Sequence, residues 1–460
     1  MTIWLPDLSS HTGPRYQALA DAIAAAIRSG ELAVGAKLPP QREMAWRLGV
    51  TVGTVGRAYM LVERQGLVSG EVGRGTYVKS QSASNRPSKL NPTDPNVIDI
   101  TKNTPASGPH PDAFTETLQE IAAGPDLGLL DYMPAQGPAR HRAAFVRWVE
   151  RTGLHAEPDQ VVVTCGAQQA LSASLTAMAR PGEAILVEEM TYCGLMEAAE
   201  SLGLRFVGVP MDEYGIRPEA LAEIAPGVGA RLLAINPTFQ NPTTAVMPEE
   251  RRRELAGVAR SLDLTMIEDD VYGYLTDDRP PPVATFASER TIYITSASKC
   301  LAPGLRVGWA VCPQRHVAAM AGAIHDLAVT QPALTGQVVA SWIEQGTAER
   351  LVRWQAQENE ARHRLATEVL DGLDFRSHPS CIHLFLTLPE HWPSDVFAAT
   401  ARERGVVVAT AREFAVDPAN APEAVRLCLG SPHELEDLRV VLTTIRNLTQ
   451  EVPQRRRKVI

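Results

Sequence analysis

The stretch at residues 296–308, Ser-Ala-Ser-Lys-Cys-Leu-Ala-Pro-Gly-Leu-Arg-Val-Gly, is the one around which the chain is organised. It follows an alternating apolar run at 291–295 that predicts a β-strand. Small and apolar neighbours disfavour the ammonium form of Lys299, and a free amine is the nucleophile that a Schiff base requires. Ser296 and Arg306 add a hydroxyl and a forked guanidinium, which suit a phosphate group. The plain alternative is a buried strand end with a surface lysine and arginine.

Short apolar runs alternate with amphipathic helical patterns from residue 97 onward. This alternation predicts an α/β domain with a largely parallel sheet and with functional sites at strand ends. A long charged helix near 347–373, followed by shorter strand-like pieces, predicts a smaller α+β part toward the C-terminus. The runs that predict strands are 161–164, 184–187, 232–235, 265–267, 292–294, 382–388 and 406–409.

Four further motifs follow predicted strands of the larger part. The segment 166–170 opens a helix whose backbone N–H groups suit a phosphate, unless it is a plain strand-to-helix turn. Tyr192 has the ring to stack on a flat ligand, or else to fill the core. The polar, Pro-punctuated loop at 236–243 is typical of a functional loop where it faces a cleft. The run Glu-Asp-Asp-Val-Tyr at 268–272 supplies carboxylates and a tyrosine.

The composition is that of a globular chain with room for two or three domains, at 460 residues, 45% hydrophobic and 21% charged. A net charge of −9 argues against a nucleic-acid-binding surface over the whole chain but leaves room for one basic domain. The six cysteines form no C-x-x-C pair, so neither a metal site nor a disulfide framework is predicted, and free thiols fit a reducing cytoplasm. No signal-peptide pattern or membrane-spanning run is predicted.

The first 79 residues predict a winged helix-turn-helix. Helical patterns cover 15–28 and 41–48, and Thr51 is suited to cap a third helix that runs to about residue 65. Strand-like pieces at 67–69 and 76–78 flank a glycine-rich turn and predict a wing. Between Arg15 and Lys79, nine basic residues stand against five acidic ones, a balance of +4 that favours DNA binding over a plain helical bundle. A Ser-, Asn- and Pro-rich linker follows over 80–96.

This N-terminal part resembles the winged helix-turn-helix of GntR regulators. The resemblance rests on the motifs at 38–45, 48–51, 54–55, 57–59 and 73–78. In the family an arginine often follows the capping Ser or Thr; here Val52 stands there and suits an apolar contact to a thymine methyl group. The residues to which the resemblance assigns DNA contacts are Arg42, Thr51, Thr54, Arg57, Arg74 and Gly75.

The five motifs of the larger part, in their order and spacing over about 100–450, resemble aminotransferases of the aspartate aminotransferase type. With the N-terminal module, the chain resembles the MocR-type subfamily of GntR regulators. The resemblance implies a multidomain chain, an α+β winged helix-turn-helix over 1–79 and an α/β aminotransferase-like domain with a smaller α+β part over 97–460. The larger, cofactor-binding portion is expected at about 125–325, and the smaller one at 97–124 plus 326–460.

The cofactor that the resemblance implies is pyridoxal 5'-phosphate, held as a Schiff base by Lys299. Asp269 would pair with the pyridinium nitrogen and make the ring an electron sink, with Asp270 as its rival. Tyr192 would stack on the ring and complete the set of catalytic residues. The remaining cofactor contacts fall to Asn241 and Tyr272 at the phenolic oxygen and to Ala167, Gln168, Ser296 and Arg306 at the phosphate.

Two further residues concern the dimer and the substrate. Tyr132 resembles the tyrosine that reaches the phosphate of the neighbouring subunit, which implies a homodimer. Arg426 resembles the arginine that grips the substrate α-carboxylate through two hydrogen bonds. Thr244, where the family usually has glycine, and Cys300, where it usually has Ser or Thr, are departures that bear on substrate fit.

Three functions are compatible with these motifs. The first is a cytoplasmic transcription regulator that binds operator DNA and senses the cofactor or an amino-acid-like effector. The second is a working aminotransferase with an accessory DNA-binding module, and the third is a protein with both activities. The intact basic residues of the winged domain favour the regulator, whereas the complete set of cofactor-binding residues is also compatible with a working enzyme.

Overall fold

The computed structural model of the protein describes residues 4–6, 14–28, 31–32, 36–64, 67–71, 75–78, 97–124 and 128–452. The chain divides into two compact units, Met1–Pro92 and Thr93–Ile460. The linker predicted at 80–96 lies outside the described residues. Across the part of the chain that the structure describes, no helix has the length and apolar character to cross a membrane.

The first unit is a three-helix domain with a two-stranded antiparallel sheet. Apolar residues at helical spacing, among them Leu19, Ile23 and Val55, are fully buried and hold the three helices together. The helix-turn-helix prediction is confirmed in its bounds: the second helix ends before Gly49, which adopts a left-handed φ of 63°. The elements are α1 (Arg15–Arg28), α2 (Gln41–Leu48), α3 (Val52–Arg64), β1 (Val68–Glu71) and β2 (Gly75–Val78).

The second unit contains two main sheets and the helices that cover them. Its helices are α4 (His110–Ala123), α5 (Ala139–Glu150), α6 (Ala167–Met178), α7 (Cys193–Ser201), α8 (Pro218–Val228), α9 (Glu249–Ser261), α10 (Val283–Phe286), α11 (Gln314–Ala328), α12 (Ala333–Glu344), α13 (Thr347–Val369), α14 (Ser394–Glu403) and α15 (Leu435–Thr449). Its strands are β3 (Ile98–Asp99), β4 (Val161–Thr164), β5 (Ala184–Glu188), β6 (Arg205–Val209), β7 (Met211–Asp212), β8 (Gly215–Ile216), β9 (Leu232–Ile235), β10 (Thr265–Asp269), β11 (Thr291–Ser296), β12 (Gly308–Val311), β13 (Phe375–Arg376), β14 (His383–Thr387), β15 (Val406–Val407), β16 (Ala409–Thr410) and β17 (Ala424–Cys428).

The larger sheet has seven strands among the described residues, in the order β4-β12-β11-β10-β9-β5-β6. The predicted parallel sheet is confirmed, with β12 as an antiparallel strand that pairs with β11 and β4. Asp269 lies opposite Ile294, and Ser296 lies opposite Gly308. The carboxyl ends of β10 and β11 therefore meet the start of β12 at one edge of the sheet, where sites form in such folds.

The smaller sheet is antiparallel in the order β13-β14-β17-β16 and packs against α13 and α15. Two predicted elements need correction. The helix predicted over 347–373 ends at Val369, ahead of Gly372, which takes a left-handed φ of 81°. The strand predicted over 406–409 is two strands, because β15 pairs with β3 while β16 joins the smaller sheet.

Helices α4 and α12 pack on the core of the larger sheet, although the sequence-based division assigns both to the smaller part. Trp342 of α12 lies in one buried cluster with Trp148 and Trp309. Its indole N–H donates to the Thr117 hydroxyl of α4 at 2.8 Å. Packing thus places α4 and α12 against the larger sheet. The chain therefore passes from the smaller sheet, where Ile100 packs, to the larger sheet, where α4 packs.

Candidate functional site

The Lys299 side chain lies just beyond the carboxyl end of β11, in the turn that leads to β12. Its Nζ donates a hydrogen bond to the backbone oxygen of Asn103. Burial lowers the pKa of Lys299 to about 8, and the charge of Arg426 adds to the fall, while Asp269 opposes it. A larger share of free amine is therefore present near neutral pH than for an exposed lysine.

The two adjacent aspartates after β10 have different partners. The Asp270 carboxylate accepts from the Arg279 guanidinium at 2.6 Å and from the Tyr293 hydroxyl at 2.8 Å, and all of this is buried. Oδ1 of Asp269 and Oδ1 of Asp270 are both buried without a hydrogen-bond partner among the described residues, so the two side chains differ in the bonds that Asp270 makes to Arg279 and Tyr293. Burial raises the pKa of Asp269 to about 7, with Asp270 adding to the rise and Lys299 opposing it. The geometry favours Asp269 over Asp270 as the carboxylate that faces a ligand.

The residues predicted to hold a phosphate come together at the N-terminus of α6. Gly166 precedes that helix with a φ of 79°, and a Cβ there would lie 2.5 Å from Nη2 of Arg306. The Arg306 guanidinium donates to the Ser298 hydroxyl at 3.3 Å, and Ser296 is buried beside it. The first N–H groups of α6, a guanidinium and hydroxyls form a cradle with the chemistry of an anion site. Ala167 opens the helix, as predicted.

Gln168 is bonded elsewhere through its amide nitrogen. Its Nε2 donates to the backbone oxygen of Gly194 at 2.7 Å, at the start of α7. Its Oε1 is buried and has no partner within the described ranges. Tyr192 sits at the N-cap of the same helix, and a Cβ on Gly194 would lie 2.5 Å from its ring. Burial raises the pKa of Tyr192, with the charges of Cys193 and Asp269 adding to the rise.

Asn241 and Arg426 contact each other directly. Nη1 of Arg426 donates to Oδ1 of Asn241 at 2.8 Å, and its Nη2 donates to the backbone oxygen of Thr101. The guanidinium also lies 4.7 Å from the ring centre of Phe414. Its Nε is buried without a partner in the described part of the chain. A buried guanidinium with spare donors is suited to bind a carboxylate.

Glu188, at the end of β5, holds the loop that carries Asn241. One of its oxygens accepts from the Asn236 N–H and from the Gln240 amide, both at 3.2 Å. Burial raises the pKa of Glu188 to about 8, against the hydrogen bonds from Gln240 and Asn236. In the same loop Thr244, the departure from glycine, has a φ of 64° and is buried. The Glu188 carboxyl group therefore holds the loop in place through its hydrogen bonds to Asn236 and Gln240.

Two other residues complete the site and were not predicted from the sequence. Nδ2 of Asn103 donates to the Tyr272 hydroxyl at 2.8 Å and lies 3.1 Å from Nδ1 of His383. His383 is fully buried on β14, where burial lowers its pKa to about 3, with Arg426 adding to the fall. Neither residue lies in a motif, and no signal in the sequence marks them. Asn103 lies near the start of the second unit and His383 lies on β14 of the smaller sheet, and the fold brings both to this edge of the larger sheet.

Tyr132 lies apart from these residues, with 86% of its surface exposed. Among the described residues the structure does not bring it to Lys299 or Arg306 of the same chain. Cys300 is fully buried, and burial raises the pKa of its thiol to about 12. No group of residues that could hold a metal ion occurs in the described part of the chain.

The residues predicted to contact DNA lie on the first unit. Thr51 caps α3 as predicted, because its Oγ1 accepts from the Thr54 N–H at 3.2 Å. Arg42 and Arg57 are exposed on α2 and α3, and Val52 is 45% exposed at the start of α3. Gly75 has a φ of 125°, and a Cβ there would lie 2.5 Å from Cε of Lys37. Arg74 lies outside the described residues.

A parallel-sheet domain with this edge site, preceded by a helix-turn-helix, defines a class of regulator fused to an aminotransferase-like domain. Residues 95–445 match the family model of class I and II aminotransferases, and residues 15–78 match that of the GntR family of bacterial regulatory proteins. The chain therefore belongs to the class I and II aminotransferase family, with a GntR-type DNA-binding domain at its N-terminus.

Relatives that match most of the chain carry the names of regulators. The chain is 29% identical to the HTH-type transcriptional regulator YdeF of Bacillus subtilis (strain 168), over 98% of this chain and 97% of that protein. It is 28% identical to the HTH-type pyridoxine biosynthesis transcriptional regulator PdxR of Corynebacterium glutamicum, over 93% and 94%. The structure of the α-aminoadipate aminotransferase LysN of Thermus thermophilus, complexed with N-(5'-phosphopyridoxyl)-L-leucine, covers 77% of this chain and 92% of its own, at a TM-score of 0.69 and 25% identity.

Proposed function

We propose that the protein carries pyridoxal 5'-phosphate on Lys299 and adjusts its binding to operator DNA in response to an amino-acid-like effector. One observation carries the proposal. An amine with a lowered pKa at Lys299, an unpartnered buried carboxylate oxygen at Asp269 and a buried guanidinium at Arg426 lie within one site. These are the three groups that an aldehyde cofactor, its ring nitrogen and an amino acid carboxylate require.

The donor set fits this cofactor by its chemistry. The cradle of the α6 N-terminus, Ser296, Ser298 and Arg306 suits the phosphate. The open oxygen of Asp269 suits a protonated ring nitrogen. Asn241 and Tyr272 suit the phenolic oxygen. When bound, the cofactor supplies an electron sink conjugated with the amino group that it carries.

The residues of this chain have separate tasks in effector binding. Lys299 presents its amine, and a pKa of about 8 leaves part of the population neutral near physiological pH. Asp269, when ionised, keeps a proton on the ring nitrogen. Arg426 binds the carboxylate of the effector, and it exchanges its bonds to Asn241 and Thr101 for that ligand. The effector therefore changes the bonds of residues from three separate segments of the chain, namely β17 and the loops that contain Asn241 and Thr101.

DNA binding is assigned to the first unit. Arg42 and Arg57 are free of burial and able to meet phosphates, and the capped start of α3 presents Thr51, Thr54 and Val52 to base edges. The wing would add Arg74, with Gly75 providing the close turn. A protein of this function works in the cytoplasm, where the bacterial chromosome lies.

The proposal includes a homodimer. Tyr132 is 86% exposed and Leu130, two residues before it, is 88% exposed. A second copy that covers this segment would bury both side chains and bring the Tyr132 hydroxyl to the phosphate cradle of its neighbour. Mixing Tyr132→Phe protein with Lys299→Ala protein tests this, since a hybrid dimer holds one intact site and cofactor affinity should partly recover. A monomer at all concentrations would refute it.

A spectroscopic experiment tests the cofactor assignment. Purified protein saturated with pyridoxal 5'-phosphate is expected to develop an absorbance band in the visible range that borohydride reduction fixes to the chain. Peptide mapping of the reduced protein should find the adduct on Lys299. A saturated protein without a visible band, or an adduct on a different lysine, would contradict the proposal.

An aminotransferase is the second candidate. The buried Arg426 guanidinium beside Lys299 favours it, because a carboxylate-binding arginine next to a reactive amine is also what transamination of an amino acid requires. The two functions are distinguished by release of the 2-oxo acid. We expect L-amino acids to shift the visible band of the protein without sustained formation of a 2-oxo acid. Continuous turnover would establish the enzyme.

A further inference from the structure

Residues 101–104, here called the strap, are among the first described residues after the predicted linker. The strap contacts three residues of the proposed cofactor site. The backbone oxygen of Asn103 accepts from Lys299, and that of Thr101 accepts from Arg426. The side chain of Asn103 donates to the Tyr272 hydroxyl at 2.8 Å. One short segment thus touches both ends of the site at which an amino acid would bind.

The strap is also held on its other side. The Asp99 carboxylate accepts from the Thr101 N–H at 2.8 Å and from its hydroxyl at 2.6 Å. The Ser431 hydroxyl, just beyond β17, donates to the backbone oxygen of Lys102 at 2.6 Å. A Cβ on Gly430 would lie 2.2 Å from the backbone oxygen of Thr104. The strap therefore lies between the site and the end of β17, the strand that carries Arg426. Its bonds connect Lys299 and Arg426 on one side with Ser431 on the other.

The strap and the ligands use the same donors. The Lys299 amine that bonds the strap is the group that the cofactor aldehyde would use, and the Arg426 guanidinium that bonds it is the group that a carboxylate would use. Oδ1 of Asn103 and Nε of Arg426 are buried without partners within the described ranges. Buried polar atoms without hydrogen-bond partners lower the stability of the folded state. A rearrangement of the strap would allow these two atoms to form hydrogen bonds.

We propose that the strap is the ligand-responsive element of the second unit, with Asn103 as a positioning residue for Tyr272. This proposal rests on the proposed function. Occupation of Lys299 and Arg426 takes two donors away from the strap, and the change passes along the chain toward the predicted linker. The Asn103 amide occupies an acceptor position of the Tyr272 hydroxyl, which leaves the Tyr272 proton to be donated to a ligand.

Hydrogen exchange of the full-length wild-type protein tests the strap without any substitution. Exchange of the 97–104 amides is measured in protein freed of cofactor, after pyridoxal 5'-phosphate, and after further addition of L-alanine. We expect their exchange rates to change by about fivefold or more between these states, the size of a modest coupling. Amides of α8, which packs on the edge strand β6 of the larger sheet, serve as the internal control. Unchanged exchange at 97–104 with a fully developed visible band would overturn the proposal.

Two substitutions test Asn103 itself. Asn103→Ala should weaken affinity for pyridoxal 5'-phosphate by about three- to tenfold and shift the pH dependence of the visible band, because a hydrogen bond to Tyr272 is lost. Asn103→Gln, which keeps the amide, should recover part of the effect. Asn447→Ala is the matched control, since that asparagine is exposed on α15, outside the strap. Wild-type affinity and an unshifted pH profile for Asn103→Ala would overturn the positioning role. Absence of the visible band in the wild type would instead overturn the proposed function.

Discussion

Arg57 and Arg426 are both arginines to which a ligand contact is assigned, yet their surroundings are opposite. Arg57 is exposed on α3 of the first unit, whereas Arg426 is 3% exposed and bonded to Asn241 and Thr101. An exposed guanidinium meets a phosphate in water, where salt screens the interaction. A buried one acts where the dielectric is low and where its partners are left unsatisfied by its loss. Substitutions should therefore be independent in the first unit and coupled in the second.

The largest expected effect is that of Lys299→Ala. Without the amine no covalent attachment of pyridoxal 5'-phosphate forms, so the visible band and the borohydride-fixed adduct should both be absent. Lys102→Ala, which alters an exposed lysine of the same unit, should retain both. Absorbance spectra and mass spectrometry of the reduced proteins check this. A wild-type band in the Lys299→Ala protein would contradict the assignment of Lys299 as the residue that attaches the cofactor.

The adjacent aspartates should differ in their effect on stability. Asp270→Asn leaves the buried Arg279 guanidinium without its charged partner and should lower the free energy of unfolding by about 3–5 kcal/mol. Asp269→Asn removes a carboxylate whose ionised form is disfavoured by burial and leaves the Arg279–Asp270 ion pair intact, so it should cost much less. Denaturant unfolding of both cofactor-free proteins gives the two values. Equal losses would mean that the two carboxylates share one environment.

The same pair predicts a dependence of stability on pH. Burial raises the folded-state pKa of Asp269 to about 7, above its ordinary value, so the folded state binds the proton more tightly than the unfolded state. This contribution to stability is fully present at low pH and is lost as pH rises toward about 7. In the cofactor-free Asp269→Asn protein the decline should be shallower than in the wild type. Unfolding at several pH values between about 4 and 8 measures it.

Arg426→Ala should weaken the response to carboxylated amines more than the response to simple amines. A charged hydrogen bond contributes about 1.5–3 kcal/mol, so the concentration of L-alanine that shifts the visible band should rise by about ten- to a hundredfold. Ethylamine, which lacks the carboxylate, should be affected far less. Arg439→Ala, at an exposed arginine of α15, is the control. An equal loss for both amines would assign Arg426 a structural role.

The smallest effects are expected on the proposed DNA-binding surface of α2 and α3. Arg42→Ala and Arg57→Ala should each reduce the salt dependence of DNA binding by about one unit of slope, and the double variant by about two. Arg47, which is paired with Glu43 at 3.1 Å on the same helix as Arg42, provides a control with a smaller expected change. Binding titrations at several salt concentrations measure the slopes. If the double variant departed strongly from the sum of the two single variants, Arg42 and Arg57 would be coupled, and the expected difference from the buried site would be contradicted.

Local signals in the sequence account for most of the fold. The bounds of α2 follow from Leu38-Pro39-Pro40 before it and Gly49 after it, and the start of α3 follows from the capping Thr51. Alternation and apolar runs locate the strands of the larger sheet. The division of 406–409 between two sheets depends on pairing with distant residues. No local pattern carries that information.

The site was predictable only where motifs carry it. Lys299, Asn241 and Arg306 belong to motifs, whereas Asn103 and His383 reach the site through packing between distant parts of the chain. The choice between Asp269 and Asp270 is not local, because the decisive partners Arg279 and Tyr293 lie on other elements. The roles of these residues with a cofactor and with DNA remain predictions that the experiments above address.

The most direct test of the account measures DNA binding and its response separately. DNA fragments selected by the wild-type protein are titrated with wild-type and Lys299→Ala protein, each with pyridoxal 5'-phosphate, and with and without a panel of amino acids. We predict equal affinity for DNA in the absence of amino acids, and a several-fold change on addition of an amino acid in the wild type only. A Lys299→Ala protein that responds as the wild type does would contradict the claim that Lys299 is the sensor.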